Sequence, residues 1–476
     1  MKTDILYILL CFFTVAFTTV SCDDFLDITP DGQVQRDELL STAEGIEDAM
    51  YGVYSQMRLP ELYGMELHYS SLEVMSQTLS CYGAKYEEAL GRYDYSDTRV
   101  KSQFESIWVS MYKNISNVNS VLNSPLVEGA TEFPYSIYRG EALGLRAFMH
   151  FDLVRLFAEQ YTVNGSADGI PYATEFSLNT PEFESLEKNY EHIIADLLLA
   201  DSLLRDEEKY ENSSDFMSDR KIHFNIYAVW AALARVYLTM GNKEMAFKYA
   251  DKVISGGKYT LKDKTEVEND VAGVLSKKEC LFGIYDQGFY TNVYQKIYLT
   301  TSFYSLFLRD DYMELYDRDA VGSDERVAAY FTVVGSGDMA TVRLGKIVER
   351  YELQNNSSNR PSELILGVNL IRLPEMYYIA AEALLDTDHA AALGYYNAVR
   401  EHRGLEPLVM EDENDKLTIE QINDERYKEY IGEGQTFFNM KRQNLPILSY
   451  DGKTTYQPGA GIYVVPIPDV ELENRY

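Results

Sequence analysis

Cationic side chains are scarce in this chain: 43 lysines and arginines face 75 aspartates and glutamates, for a formal net charge of −32 over 476 residues. A surface this acidic repels phosphate backbones and anionic headgroups, which excludes nucleic acid as a partner. Histidine is sparse, and His68, His150, His192, His223, His389 and His402 show no H-E-x-x-H or other close metal spacing. No G-x-S-x-G elbow or Walker loop occurs. The loop pattern of a calcium hand is missing too, so no metal or other cofactor is expected, though calcium on an acidic loop stays open. Cysteine is limited to four residues, Cys11, Cys22, Cys81 and Cys280. The last two match no zinc-ribbon or redox spacing and read as buried thiols, with a disulfide between them as the alternative. No apolar run reaches the roughly 20 residues of a membrane-spanning helix.

The run that comes nearest, Ile5 to Val20, is diluted by Thr14, Thr18 and Thr19 and ends at Ser21-Cys22-Asp23-Asp24. A removable export signal fits it better than a span. The n-region is weak, with Lys2 offset by Asp4, but the small or β-branched Thr19-Val20-Ser21 suits a lipobox-type cleavage site before Cys22. Cleavage there makes Cys22 the point of lipid attachment. An ordinary secreted protein cut after Ser21 is the alternative. A single acyl chain holds a protein only marginally, so several chains, palmitate among them, are expected on Cys22.

Apolar residues recur at i, i+3, i+4 and i+7 through most of the remaining chain, the period of an amphipathic helix. Helices are predicted over Thr42 to Met57, Gln103 to Leu122, Arg139 to Glu159, Leu186 to Leu204 and Asn225 to Met240. Further helices are predicted over Lys243 to Ser255, Pro374 to Leu385, Ala390 to Arg403 and Thr418 to Arg442. In the third of these, Leu145, Met149, Leu153 and Leu156 share one face, which should be core. Asn225 to Tyr259 is built like a tetratricopeptide hairpin. Ala228, Ala231, Ala232, Ala234, Ala246 and Ala250 let two helices approach, while Tyr237, Phe247 and Tyr249 fill the gaps. Met376 to Arg403 reads as a second pair. Leu59 to Val100 and Leu261 to Pro361, rich in Gly, Tyr and Asp, leave this helical series as insertions. Gly335-Ser336-Gly337 followed by alternating residues reads as the turn of a β-hairpin.

The carboxylate groups Asp310-Asp311, Asp317 with Asp319, and Glu411-Asp412-Glu413 with Asp415 could in principle supply the acid and base of glycoside hydrolysis. In so acidic a chain they read as solvated surface charge, and no enzymatic activity is expected. Asp152, Arg155 and Glu159 have the spacing of intrahelical salt bridges. Glu425-Arg426 and Lys441-Arg442, around Phe437 and Phe438, read as a charged amphipathic closing helix.

An ordered set of blocks resembles the SusD/RagB family of outer-membrane nutrient-uptake lipoproteins. It runs IWVSMYKNISNVNSVL (Ile107 to Leu122), RGEALGLRAFMHFDLVRLFA (Arg139 to Ala158), YEHIIADLLLADSLL (Tyr190 to Leu204), the Ala-rich hairpin and SDERV (Ser323 to Val327). It continues with IRLPEMYYIAAEALL (Ile371 to Leu385), YYNAVREHRGL (Tyr395 to Leu405), INDERYKEYIGEGQTFFNMKR (Ile422 to Arg442) and YVVPIPDVELENRY (Tyr463 to Tyr476). The resemblance implies an all-α dominated fold, with tetratricopeptide-like hairpins packed against an irregular, loop-rich ligand-binding portion with minor β-strands. It divides the chain into a signal peptide (1–21), a lipidated N-terminal segment (22–40), an N-terminal helical portion with the repeats (41–260) and a C-terminal portion with ligand-binding insertions and closing helices (261–476). It further implies a lipid-anchored protein on the outer membrane, facing the cell exterior, that binds an oligosaccharide and delivers it to a SusC-like TonB-dependent β-barrel. A peptide is the ligand in the RagB branch. A tetratricopeptide protein-interaction scaffold and a secreted glycoside hydrolase are the competing readings.

Tyrosine is plentiful, at 39 residues, and crowds in the two insertions at Tyr82, Tyr86, Tyr93 and Tyr95 and at Tyr285, Tyr290, Tyr294 and Tyr298. A phenol ring offers a flat apolar face to a sugar and a hydrogen bond at its edge. With Asp94 and Asp286, these tyrosines are the candidate ligand-binding residues, and Lys85, Arg92 and Asp97 would add polar contacts. Each could equally fill a gap in the core. Two tryptophans are few for a broad starch-type platform, which leaves smaller glycans or peptides.

Overall fold

The computed structural model describes residues 36–81, 86–177, 179, 181–267, 274–289, 291–293, 306–309, 311–317, 323–334, 336, 341–344, 365–410, 412 and 415–473. The expected signal segment 1–21, Cys22, Tyr82, Lys85, Tyr290, Tyr294 and Tyr298 lie outside the described residues. The structure is helix-rich with few short strands. Its principal helices are α1 (Ala43–Met57), α2 (Thr98–Leu122), α3 (Tyr135–Phe157), α4 (Leu186–Leu204), α5 (Ile226–Thr239), α6 (Lys243–Ser255), α7 (Leu373–Leu384), α8 (His389–His402), α9 (Ile419–Glu429) and α10 (Gln435–Arg442). No described helix is long and apolar enough to cross a membrane.

Helix starts follow from capping chemistry. Thr42, Asp97, Ser185, Asn225, Asn242, Asp388 and Thr418 each accept a backbone N–H of the first turn of the helix that follows. Asp97 therefore serves as the cap of α2, which begins five residues before the predicted Gln103. α3 departs from its predicted single apolar face. Leu145, Met149, Leu153 and Leu156 are buried, but so is nearly every other residue from Ser136 to Phe157. This helix is the axis of the domain, packed between α2 and α4. Gly144 permits that closeness, since a Cβ there would come within 2.3 Å of the Phe224 ring.

α5 and α6 form the predicted hairpin, turning at Gly241 (φ +78°), with Tyr237 and Tyr249 stacked at 5.9 Å. α6 packs on α7, and α7 on α8, so the two hairpins stack although a long insertion separates them in sequence. That insertion leaves and returns on paired strands. β4 (Cys280–Tyr285) runs antiparallel to β8 (Gly367–Arg372), with Cys280 opposite Arg372 and Tyr285 opposite Gly367. Between them β6 (Phe331–Val334) and β7 (Thr341–Leu344) form the predicted hairpin. Cys280 is a free, buried thiol, and burial pushes its pKa up to about 12, so the alternative of a bridge to Cys81 does not hold.

The closing helix predicted over Thr418 to Arg442 is two helices. Gly432 and Gly434, both at φ +71°, break it, and Gly434 N–H donates to Glu73 Oε1 at 2.8 Å. Its charges point inward. Glu429 Oε1 accepts from Arg372 Nη1 at 2.7 Å and Arg403 Nη2 at 2.9 Å, and its Oε2 from Arg403 Nε at 3.0 Å. Arg403 also reaches Glu279 Oε1 at 3.0 Å, and Arg372 forks onto Glu433 at 2.9 and 3.0 Å. Arg326 forks onto Asp324, both contacts at 2.8 Å, and meets Glu425 at 2.7 Å, which Arg400 and Lys428 also approach. Five cations and five carboxylates thus balance inside the protein. The expected salt bridge of Asp152 with Arg155 is present, also buried, whereas α3 ends at Phe157 and Glu159 is not part of it.

Burial opposes ionisation of Glu425, but Arg326, Lys428 and Arg400 outweigh it and hold its pKa at about 2; Arg442 and Arg426 likewise outweigh burial to hold Glu382 at about 2. Both lie below the ordinary 4.5, so the stability they contribute is complete above pH 4.5 and is lost as pH falls through about 2. Thermal melts followed by circular dichroism should show the midpoint dropping steeply over that window. Glu425→Gln should cost roughly 3–5 kcal/mol at pH 7 and flatten the acid slope. An unchanged slope would contradict this assignment.

Candidate functional site

The two tyrosine-bearing insertions meet. β1 (Leu79–Cys81) pairs antiparallel with β5 (Leu306–Leu308), and Tyr69 stands edge-on to Phe289 at 5.3 Å. Beside β1 opens a polar cleft of about 270 Å³. One wall comes from the segment Val74 to Arg92 and the other from the hairpin of β9 (Ile447–Leu448) and β10 (Thr455–Tyr456).

Gln77 holds the walls together. Its backbone adopts φ +60°, which turns the buried amide toward three segments. Nε2 donates to Val74 O at 3.2 Å and Gly91 O at 2.9 Å, while Oε1 accepts Tyr450 N–H at 3.1 Å. The hairpin tip is shaped by Asp451, whose Oδ1 accepts Ser449 Oγ at 2.7 Å and Lys453 N–H at 3.1 Å, and by Gly452 at φ +68°. Arg92 and Glu88, 2.8 Å apart on the rim, add a surface ion pair. Glu87, Tyr450, Asp451 and Tyr456 complete the polar lining.

None of the predicted tyrosines among the described residues lines this cleft. Tyr93, at φ +56°, donates to Met75 O at 2.6 Å and meets the Tyr456 ring at 4.8 Å. Tyr95 donates to Ile462 O at 2.7 Å, and Tyr86 donates to Glu66. Burial raises the pKa of all three, so their hydroxyls stay protonated. Asp94 is exposed and caps its own turn through Ser96. In the second insertion Tyr285 is 41% exposed and its hydroxyl accepts from Gln287. Asp286 is buried, which raises its pKa; its Oδ1 accepts Gly288 N–H at 2.7 Å.

Residues 24–238 match a family profile described as starch-binding and associating with the outer membrane, and residues 234–461 match the SusD family profile. A SusD-like protein P2 of Formosa agariphila is 23% identical over 97% of this chain and 96% of its own length. The chain belongs to the SusD/RagB family. A SusD superfamily protein of Bacteroides thetaiotaomicron shares the fold, with a TM-score of 0.70, 24% identity and coverage of 90% of this chain and 97% of that one. A SusD-like carbohydrate binding protein of Bacteroides vulgatus also has a TM-score of 0.70, at 18% identity, covering 90% and 96% of the two chains. SusD-like proteins bind rather than catalyse.

Several of the groups weighed for chemistry in this SusD-family chain have structural partners. His150 accepts Ala173 N–H at 3.1 Å and contacts Arg146 O at 2.9 Å, and burial lowers its pKa to about 3. His223 lies 3.1 Å from Glu141, and Asp311 pairs with Arg309. Asp310, Asp319, Glu411 and Glu413 lie outside the described residues. Among the described residues no cluster of His, Cys, Asp or Glu could hold a metal ion.

Gln77, Glu87, Glu88, Tyr450, Asp451 and Tyr456 were not among the predicted ligand residues. The signal for the last three is the Asp451-Gly452 dipeptide between Ser449-Tyr450 and Thr455-Tyr456, a hairpin tip carrying two aromatic rings. Gln77→Ala should lower stability by roughly 1–3 kcal/mol and speed proteolytic cleavage within residues 447–456. Cleavage at the rate of the unaltered chain would show that Gln77 does not hold the cleft.

Proposed function

We propose that this chain captures an oligosaccharide in the cleft between Gln77, Arg92 and the Tyr450 hairpin and passes it to a SusC-like TonB-dependent barrel. The observation that carries the reading is the convergence, in one cleft, of two half-buried phenol rings with an arginine, acidic groups and an amide. Aromatic faces with a few placed hydrogen-bonding groups are the chemistry that recognises sugars. Family membership and the carbohydrate-binding structural relative agree with it. Tyr285, with Tyr82, Tyr290, Tyr294 and Tyr298 of the same insertions, belongs to the proposed ligand surface. Cys22 is the proposed lipid anchor, holding the protein on the outer face of the outer membrane beside its barrel. A peptide, as in the RagB branch, is the alternative cargo, and the excess of Glu87, Glu88 and Asp451 over Arg92 would favour a cationic one.

A glycan and peptide screen on the chain lacking residues 1–22 should find an oligosaccharide that binds without being cleaved. Tyr450→Ala and Arg92→Ala should each weaken it about tenfold, or ~1.4 kcal/mol, with thermal midpoints unchanged. Product formation would overturn the binding role, and equal affinity in both variants would remove the cleft. Cys22→Ala should release the protein from membranes; a variant still membrane-bound in cells without the barrel would overturn the anchor.

A further inference from the structure

A second, smaller cavity of about 50 Å³ lies among α3, α5, α7, α9 and α10, away from the proposed sugar cleft. Its lining includes four arginines, Arg155, Arg235, Arg426 and Arg442. Three carboxylates answer them. Asp152 pairs with Arg155; Glu375 takes both Nε and Nη2 of Arg235 at 2.6 Å; Glu382 is shared between Arg426 and Arg442. Every guanidinium has a carboxylate beside it, but four guanidiniums against three carboxylates leave the cluster one positive charge in excess.

The hydrogen bonds fall short in the same place. Arg155 Nε, Arg235 Nη1, Tyr430 Oη and Thr436 Oγ1 are buried and have no hydrogen-bond partner, and all four residues line this cavity. Each residue is at most 6% exposed. An orphaned buried donor costs roughly 1–3 kcal/mol, and more when it is charged. Burial, and after it the facing Arg235, push the Arg155 pKa down, and burial with Arg442 acts likewise on Arg426. Leu238, Ile379 and Phe438 form the apolar remainder of the wall, which weakens screening.

We propose that this cavity binds a small monovalent anion, a halide or a carboxylate of formate size. Water would fill the space and satisfy the donors but leave the charge. About 50 Å³ of space open to water centres is several times the ~10–15 Å³ one water requires. It therefore accepts a halide with a water or a formate, and is too small for a sugar. A divalent anion would exceed the single uncompensated charge. The bound anion would join α3, α5 and α7 to α9 and α10 at their common centre.

The test compares thermal midpoints of the full chain in sodium chloride, bromide, formate and gluconate at equal ionic strength, with gluconate too large to enter. The midpoint should rise saturably with the small anions over gluconate, and a bromide-soaked crystal should show its anomalous peak in this cavity. A response to formate alone, with its density there, would assign a carboxylate; a response to halides would assign a halide. Tyr430→Phe and Thr436→Val, which remove one orphaned hydroxyl each, should together weaken the anion response about tenfold. Should the first variant fail to fold, Thr436→Val and the bromide peak in the unaltered chain decide. Equal midpoints in all four salts, a cavity holding neither bromide nor formate in soaked crystals, or an unchanged response in the variants would overturn the proposal.

Discussion

Glu429 holds this molecule together. One carboxylate on α9 receives Arg372 from the end of β8 and Arg403 from the end of α8, and Arg326 stands 3.4 Å away. Through Arg403 and Arg372 it connects to Glu279, immediately before β4. The strands that open and close the second insertion, the second helical hairpin and the closing helices therefore converge on one buried centre. Desolvating so many charges is expensive, and only near-complete pairing makes it tolerable. The arrangement consequently admits few alternatives in register.

That constraint fixes the geometry of the proposed binding face. α9 cannot run on into α10, because Glu433 is held by Arg372 and Gly434 must approach Glu73. The break directs α10 against the Ser71–Met75 helix, from which Gln77 reaches the Tyr450 hairpin. A rigid ionic centre in the C-terminal half thus determines where a loop near residue 80 meets a loop near residue 450. Binding groups on loops need such a scaffold to hold their geometry.

The helices were legible because apolar period and capping residues agree: Thr42, Ser185, Asn225, Asn242, Asp388 and Thr418 sit within two residues of the predicted starts. The close approach of α5 and α6 was legible from Ala246 and Ala250, both fully buried. What a single sequence conceals is the destination of charge. Glu425, Arg426 and Lys441 have the spacing of an exposed amphipathic helix, yet they are buried because their partners come from positions distant in sequence. The cleft was half legible for the same reason. Tyr93 and Tyr95 follow directly on one wall of the cleft without lining it, their hydroxyls bond to backbone carbonyls, and the rings of the opposite wall come from a hairpin more than 350 residues away.

The central claim is that sugar is held where the Gln77 segment meets the Tyr450 hairpin, while the buried ionic centre stays fixed. Hydrogen–deuterium exchange with and without saturating oligosaccharide tests it most directly. Amides in residues 74–92 and 447–456 should exchange more slowly in the complex, and those of α9 should not change. Slowing confined to the α5–α8 hairpins, with the cleft segments unaffected, would contradict the account.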